Sequence, residues 1–358
     1  MPDSMAKFDI GQRCLQKRRR LCASGNRIMP DRFKQMHLWL RNHLQSDDYH
    51  LTPASEDASF RRYFRLHFNG SSYIVMDAPP EQERCEPFID VARRLHDAGV
   101  NVPEILASDI NAGFVLLTDL GDTLYLQELT DETADRLYTD AMTALLAIQH
   151  RADNSGLPAF NAHRLREEMH LFSDWLLGKH LDIRLSLHEQ KMLDETFRLL
   201  VANALEQPQV FVHRDYHSRN LMVTASNNPG IIDFQDAVTG PLTYDLVSLL
   251  KDCYIKWPRE RINNWAAAFY RQLPDCALGE AQFFHAFDLM GVQRHLKASG
   301  IFARLCHRDG KPGFLKDIPA TLSYIIELEP EYPELQYLGT LIRNRVLPRL
   351  HHQAETEG

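Results

Sequence analysis

Residues 210–223 read VFVHRDYHSRNLMV, and a second short run, GIIDF, ends at Phe234. Each is an apolar, strand-like piece that gives way to polar residues. His213-Arg214-Asp215 is followed five residues on by Asn220, and Asp233-Phe234 comes thirteen residues later. A generic loop has no need of that order. Phosphoryl transfer has: the attacking hydroxyl needs a carboxylate within hydrogen-bonding reach, and the phosphates need a hard cation held by oxygen-bearing side chains. The spacing H-R-D-x-x-x-x-N followed by Asp-Phe supplies those parts in order. Asp215 is therefore assigned as the base, with Asn220 and Asp233 as ligands of Mg2+. His213 reads as a packed loop anchor, and Arg214 as structural. A lone H-R-D arises readily by chance; the ordered set with strand-like flanks does not.

The chain has 358 residues, with 44% hydrophobic and 25% charged, ordinary values for a globular protein with a sizeable core. The net charge of −8 speaks against a phosphate-tracking nucleic-acid binder. Six scattered cysteines with no C-x-x-C pair fit a reducing, cytoplasmic setting and argue against a disulfide scaffold or zinc knuckle. No run approaches a membrane span. The KRRR run at Lys17–Arg20 reads as a solvated tail. Residues 1–28 are expected to be a disordered extension, with the fold starting near Met29.

From Pro30, apolar residues recur at helical spacing: Phe33, Met36, Leu40, Leu44. Then Phe60, Phe64, Leu66 and Phe68 alternate at period two, Asn69-Gly70 supplies a hairpin turn, and Tyr73–Met76 returns. A helix is expected near 87–98, stopped by Gly99. Phe114–Asp122 reads as a buried strand entering a turn. Helical periodicity then dominates at 131–151, 161–180, 186–205, 259–272, 279–298 and 330–345. The expectation is an α+β chain: a small strand-rich part over 29–120 and a larger helical part over 121–358 that carries the catalytic and metal loops.

These motifs resemble the aminoglycoside phosphotransferase family of small-molecule kinases. That resemblance implies a bilobal, protein-kinase-like fold, with ATP as phosphoryl donor. Three details favour it over protein kinases: His217 stands two residues after Asp215, Asp233-Phe234 continues to Gln235, and a "GP…YDL" segment contains Asp245. In the family that aspartate props the catalytic loop. Within the family, EDASFRRYFRL (56–66), YIVMDAPPE (73–81), EEMHLFSDWLLGKHL (167–181) and GVQRHLKASGIFARLCHRDGK (291–311) are similar to the N-acetylmuramate/N-acetylglucosamine anomeric kinases of bacterial cell-wall recycling. The resemblance implies phosphorylation of the C1 hydroxyl of an amino sugar. The alternative is another small alcohol: an aminoglycoside, choline or homoserine. Partners are then a small-molecule sugar and ATP, with no nucleic acid and no membrane.

The pattern departs from the family at the nucleotide-covering part. The Ala54–Phe60 loop has no glycine, and Asp77 stands where a kinase strand presents its phosphate-holding lysine. Arg61 or Arg62 is expected to substitute, since guanidinium chelates phosphate oxygens. The resemblance places an adenine-binding hinge at Thr118–Leu120, with Leu117 as gatekeeper. Glu168 and Asp174 are candidates for sugar hydroxyls or simply solvated helix charges. Arg294, His295, Lys297 and Arg304 form a basic cluster, and Arg304 is the candidate for the lactate carboxylate of N-acetylmuramate.

Overall fold

A computed structural model describes residues 29–56, 60–274 and 276–357. The expected N-terminal extension over 1–28, and the middle of the Ala54–Phe60 loop with Asp57 and Ser59, lie outside the described residues. The chain divides into two compact units: the first comprises residues up to Cys85 together with Ile105–Asp119, and the second comprises Glu86–Glu104 and Leu120 onward.

In the first unit, helix α1 (Met29–Leu44) lies against five antiparallel strands: β1 (His50–Glu56), β2 (Arg62–Phe68), β3 (Ser71–Asp77), β4 (Ile105–Asp109) and β5 (Phe114–Thr118). Their order is β1-β2-β3-β5-β4. The turn between β2 and β3 is two residues long, and both take positive φ, Asn69 at 49° and Gly70 at 75°. That is the turn whose twist matches the strands, so Asn-Gly fixes the register. Met36 and Leu40 from α1 meet Leu66, Val75, Phe114 and Leu116 from the sheet in one apolar cluster. Asp77 ends β3 almost completely buried, and Arg32 from α1 donates to it at 2.9 Å through Nε. Arg62, directly opposite in the register, also pairs with it. Two guanidinium groups thus offset the desolvation of one carboxylate.

The helix Cys85–Asp97 (α2) departs from the expected division, because residues from Glu86 on belong with the second unit. Its contacts give the reason. Phe88 packs on Phe234 with ring centroids 4.8 Å apart, and Arg94 donates to the carbonyls of Asp153 and Ser155. The other elements of this unit that the site needs are α3 (Ala134–Arg151), α4 (Ala162–Leu171), α5 (Leu187–Glu206), α6 (Tyr244–Leu250), α7 (Arg259–Tyr270), α8 (Glu280–Asp309) and α9 (Ile318–Leu328). The short strands β6 (Gln209–Val212) and β9 (Val238–Pro241) pair with each other, as do β7 (Leu221–Met222) and β8 (Gly230–Ile231).

Two helices differ from the periodicity. The segment expected at 279–298 runs to Asp309, thirty residues, before Gly310 in the left-handed region stops it. The segment expected at 330–345 opens with single 3-10 turns around Pro330 and Pro333, which cannot donate to a helical ladder, and becomes helical only from Gln336; it then continues through π-type turns at Ile342–Val346 to Glu357. The 161–180 segment starts as α4 and widens into π-type turns over Phe172–His180. At that junction the backbone of Leu171 lies so close to α8 that a Cβ on Gly300 would fall 2.2 Å from the Leu171 carbonyl carbon. Among the described residues no helix is long and apolar enough to cross a membrane.

Candidate active site

Strand β6 delivers the chain to His213, and the loop that follows is held at both ends by buried carboxylates. Asp245, one residue into α6, accepts from the backbone N–H of His213 (2.6 Å) and of Arg214 (3.0 Å). Asp252, just beyond α6, accepts from the N–H of Ser218 (3.0 Å) and from its hydroxyl (2.5 Å). Turning the chain through this loop needs Arg214 in the left-handed region at φ 79°, a conformation that a non-glycine residue keeps only when its surroundings enforce it. Asp245 is the expected prop of the loop. Asp252 was not legible in the sequence, since an aspartate at the end of an apolar helix carries no motif.

His213 is fully buried. Its Nε2 lies 3.1 Å from the Ile232 carbonyl, which can only accept, so Nε2 carries the proton and Nδ1 accepts from the Asp215 N–H at 3.3 Å. Burial pushes its pKa down to about 4, so the ring is neutral near pH 7. Both ring nitrogens are thus engaged by backbone on either side of the loop.

Asp215 lines a cavity of about 120 Å³, in company with His217, Arg294, Lys297, Tyr254 and Phe302. Its side chain keeps 37% of its surface exposed. Burial works against its charge, but Lys297, Arg294, His217 and Arg214 together outweigh that and hold the carboxyl well below its ordinary pKa. Asp215 is therefore ionised, as a proton acceptor must be at the start of the reaction. Arg294 does more than supply field: it donates to the Arg214 carbonyl (2.7 Å) and to Ser248 (2.7 Å) while lying over the Tyr244 ring.

Asn220 and Asp233 come together from neighbouring bends. Asn220 Nδ2 donates to the Asp215 carbonyl (3.0 Å) and to Asp233 Oδ2 (3.2 Å), which leaves Oδ1 as the atom it can offer a cation. Asp233 takes φ 63°, and Gln235 Nε2 donates to its Oδ1 at 2.8 Å. One amide oxygen and one carboxylate suit Mg2+, which keeps phosphate oxygens and waters as its other ligands and needs no protein cage. Among the described residues no group of three or more His, Cys, Asp or Glu side chains forms such a cage. The donor set fits.

The remaining candidates are spread more widely. Glu168 is buried and fully engaged by the protein: Arg214 (2.7 Å) and Lys297 (3.3 Å) meet Oε1, while Tyr244 (3.3 Å) and Gln293 (3.1 Å) donate to Oε2. Asp174 is exposed beside Ser173 and does not line the cavity with Asp215. Arg304 lies half-buried near the end of α8, also outside that lining. The basic cluster is thus split by helix phase: Arg294 and Lys297 face the loop, and His295 packs flat on Tyr324. In the first unit, Arg61 pairs with Glu83 at 2.9 Å and Arg62 with Asp77. Leu117 is buried on β5, and Thr118 ends that strand opposite Tyr73. Leu120 opens the next segment of the second unit, beside Gly230.

This architecture and loop geometry have counterparts. A kinase from Pseudomonas putida named N-acetylmuramate/N-acetylglucosamine kinase is 47% identical over 296 residues, covering 82% of this chain and 87% of that protein. The protein of the same name from Pseudomonas aeruginosa is 47% identical over 327 residues, covering 87% and 96%. The crystal structure of a choline kinase from Streptococcus pneumoniae superposes with a TM-score of 0.57 at 12% identity, covering 81% of this chain and all of that one, a likeness of fold. The family model described as the phosphotransferase enzyme family matches residues 50–284, which include the bends that carry Asp215, Asn220 and Asp233 as well as Asp245 and Asp252. The chain belongs to the phosphotransferase enzyme family.

Proposed function

We propose that this chain is an ATP- and magnesium-dependent kinase that phosphorylates the anomeric C1 hydroxyl of N-acetylmuramate, N-acetylglucosamine or both, in the recycling of peptidoglycan sugars. The observation that carries the reading is the convergence of Asp215, Asn220 and Asp233 at one loop junction. The names of the relatives at 47% identity support the choice of acceptor. Free thiols at Cys253, Cys276 and Cys306 agree with a reducing cytosol.

Asp215, ionised at the cavity, accepts the proton of the acceptor hydroxyl as its oxygen attacks the terminal phosphorus of the nucleotide. Asn220 and Asp233 would hold a magnesium ion, which would neutralise charge on the phosphates. The protein's contribution is positioning and fixed charge, because this transition state asks for little covalent help. Asp245 and Asp252 supply the positioning by clamping the loop that carries the base.

For the nucleotide, Arg61 and Arg62 are the candidates for phosphate contact, and Leu117, Thr118 and Leu120 for adenine. Each arginine holds a carboxylate, so phosphate binding exchanges one anion for another. An unchanged ATP KM in both Arg61→Ala and Arg62→Ala would remove that assignment.

The test is an ADP-release assay with N-acetylmuramate, N-acetylglucosamine, choline and kanamycin, followed by phosphorus NMR of the product. The expected result is turnover of one or both amino sugars with phosphate on C1. Turnover confined to choline or kanamycin contradicts the acceptor assignment.

A further inference from the structure

We propose that Lys297 is a catalytic residue that donates a hydrogen bond to the reacting hydroxyl of the acceptor, in the gap between its ammonium and the Asp215 carboxylate. The inference rests on Asp215 being the base of a phosphotransferase and does not depend on which alcohol is phosphorylated.

The geometry begins with three distances. Lys297 Nζ stands 3.0 Å from the Tyr244 hydroxyl, 3.3 Å from Glu168 Oε1 and 3.8 Å from Asp215 Oδ1. An ammonium has three N–H groups. Two have partners at hydrogen-bonding distance, while 3.8 Å is too long for a third direct bond. An oxygen placed about 2.8 Å from both Nζ and Oδ1 closes that triangle. The occupant must accept from an ammonium and donate to a carboxylate at the same atom. A hydroxyl does both; a carboxylate, a carbonyl or an amide N–H does not. Lys297 and Asp215 line the same cavity, so the gap opens on space that an acceptor can enter.

Glu168 explains why the gap exists. Left alone, Lys297 would close onto Asp215 as a direct ion pair and tie up the base. The Glu168 carboxylate, fixed by Arg214, Tyr244 and Gln293, gives the ammonium a second anion on the other side. Glu168 is in this sense a positioning residue. Lys297 is 7% exposed; burial works against its charge, but Glu168, then Tyr244 and Asp215, outweigh that and hold its pKa above the ordinary value. It therefore enters the reaction protonated and leaves it protonated.

In the step itself, the acceptor oxygen forms a bond to the terminal phosphorus of the nucleoside triphosphate, and the bond from that phosphorus to the bridging oxygen breaks, releasing the diphosphate. The hydroxyl proton passes to Asp215. Lys297 keeps its three protons and stabilises the negative charge that grows on the acceptor oxygen as its proton departs.

The experiment compares wild type with Lys297→Ala and Lys297→Met, each checked for folding by thermal melting. Acceptor kinetics, nucleotide Kd by calorimetry and the effect of added methylammonium are measured on each. We expect kcat to fall by about 10²-fold or more, as on removal of a single oxyanion donor, with nucleotide Kd unchanged. We further expect methylammonium to restore at least tenfold of the loss in Lys297→Ala and none in Lys297→Met, whose side chain fills the space. A kcat close to wild type overturns the proposal, and so does a folded Lys297→Ala that methylammonium cannot rescue. If Lys297→Ala fails to fold, Lys297→Met and Lys297→Gln decide by kcat alone. If wild type phosphorylates neither amino sugar, the acceptor assignment falls, and the comparison is made on whichever of choline, kanamycin or water it does use. Absence of all turnover, ATP hydrolysis included, overturns both readings.

Discussion

Asn220 and Asp233 stand thirteen residues apart in the chain, and their side chains meet at 3.2 Å. The meeting is built by backbone: the Ile232 N–H bonds to the Asn220 carbonyl at 3.1 Å, and β7 and β8 pair alongside. We predict that Asn220→Ala and Asp233→Asn each lower kcat by about 10²-fold and raise the magnesium concentration needed for half-maximal activity. A magnesium titration of the two variants checks this. An unchanged metal requirement removes both as ligands.

Asp252 has no sequence signature, yet it takes both the N–H and the hydroxyl of Ser218. Asp252→Ala leaves two buried donors without an acceptor. It should cost about 1–3 kcal/mol in urea unfolding and lower kcat more than it raises either KM, because the displaced loop carries the base. Ser218→Ala removes one donor together with its need for a partner, so its unfolding penalty should be the smaller of the two.

Acid should destabilise the fold through buried histidines. Burial lowers the pKa of His213 to about 4 and of His295 to about 3, against 6.5 for an exposed ring. For such groups the unfolded chain binds the proton first, so the stability they contribute is present above pH 6.5 and is lost as pH falls toward 4 and 3. Each adds up to about 1.4 kcal/mol per pH unit in that window. His295→Gln keeps an N–H for the Lys251 carbonyl, 3.0 Å away, but cannot titrate. Its unfolding free energy between pH 6.5 and 4 should fall less steeply than that of wild type, by about one proton.

Two glycines, one inside α8 and one just past its end, should lose stability to different extents on the same change. Gly300→Ala drives a Cβ into the backbone of Leu171, where nothing can rotate aside, and should cost about 3 kcal/mol or more. At Gly310 a Cβ meets open space, and the only penalty is a left-handed φ of 68°, so Gly310→Ala should cost about 1 kcal/mol. Thermal melting of the two variants gives the order.

The legible parts of this protein were those written in adjacent residues. Asn69-Gly70 marks a hairpin because a two-residue turn is a local event, and Asp215, Asn220 and Asp233, the residues proposed to act, are legible because phosphoryl transfer calls for such groups at set spacings along one loop system. What the sequence hid depends on contacts between distant segments. Lys297 meets Tyr244 across 53 residues, and Gln293 meets Glu168 across 125. Lys297 and Arg304, seven residues apart, share nearly the same face of α8, and it is the rise of about 10 Å along the axis that leaves Arg304 outside the lining of the cavity. Asp77, which looks like a missing lysine in the sequence, becomes intelligible once Arg32 and Arg62 are seen on either side of it. The helical spacing over 330–345 is realised from Gln336 onward, while Pro330 and Pro333 hold the first turns in 3-10 form.

The account turns on one proton acceptor. Asp215→Asn keeps the size and shape of the side chain but cannot take the hydroxyl proton. Measured with ATP, magnesium and saturating N-acetylmuramate or N-acetylglucosamine, it should lose about 10³-fold in kcat while binding nucleotide as wild type does. A variant that still turns over within tenfold of wild type would contradict the assignment of Asp215 and the mechanism built on it.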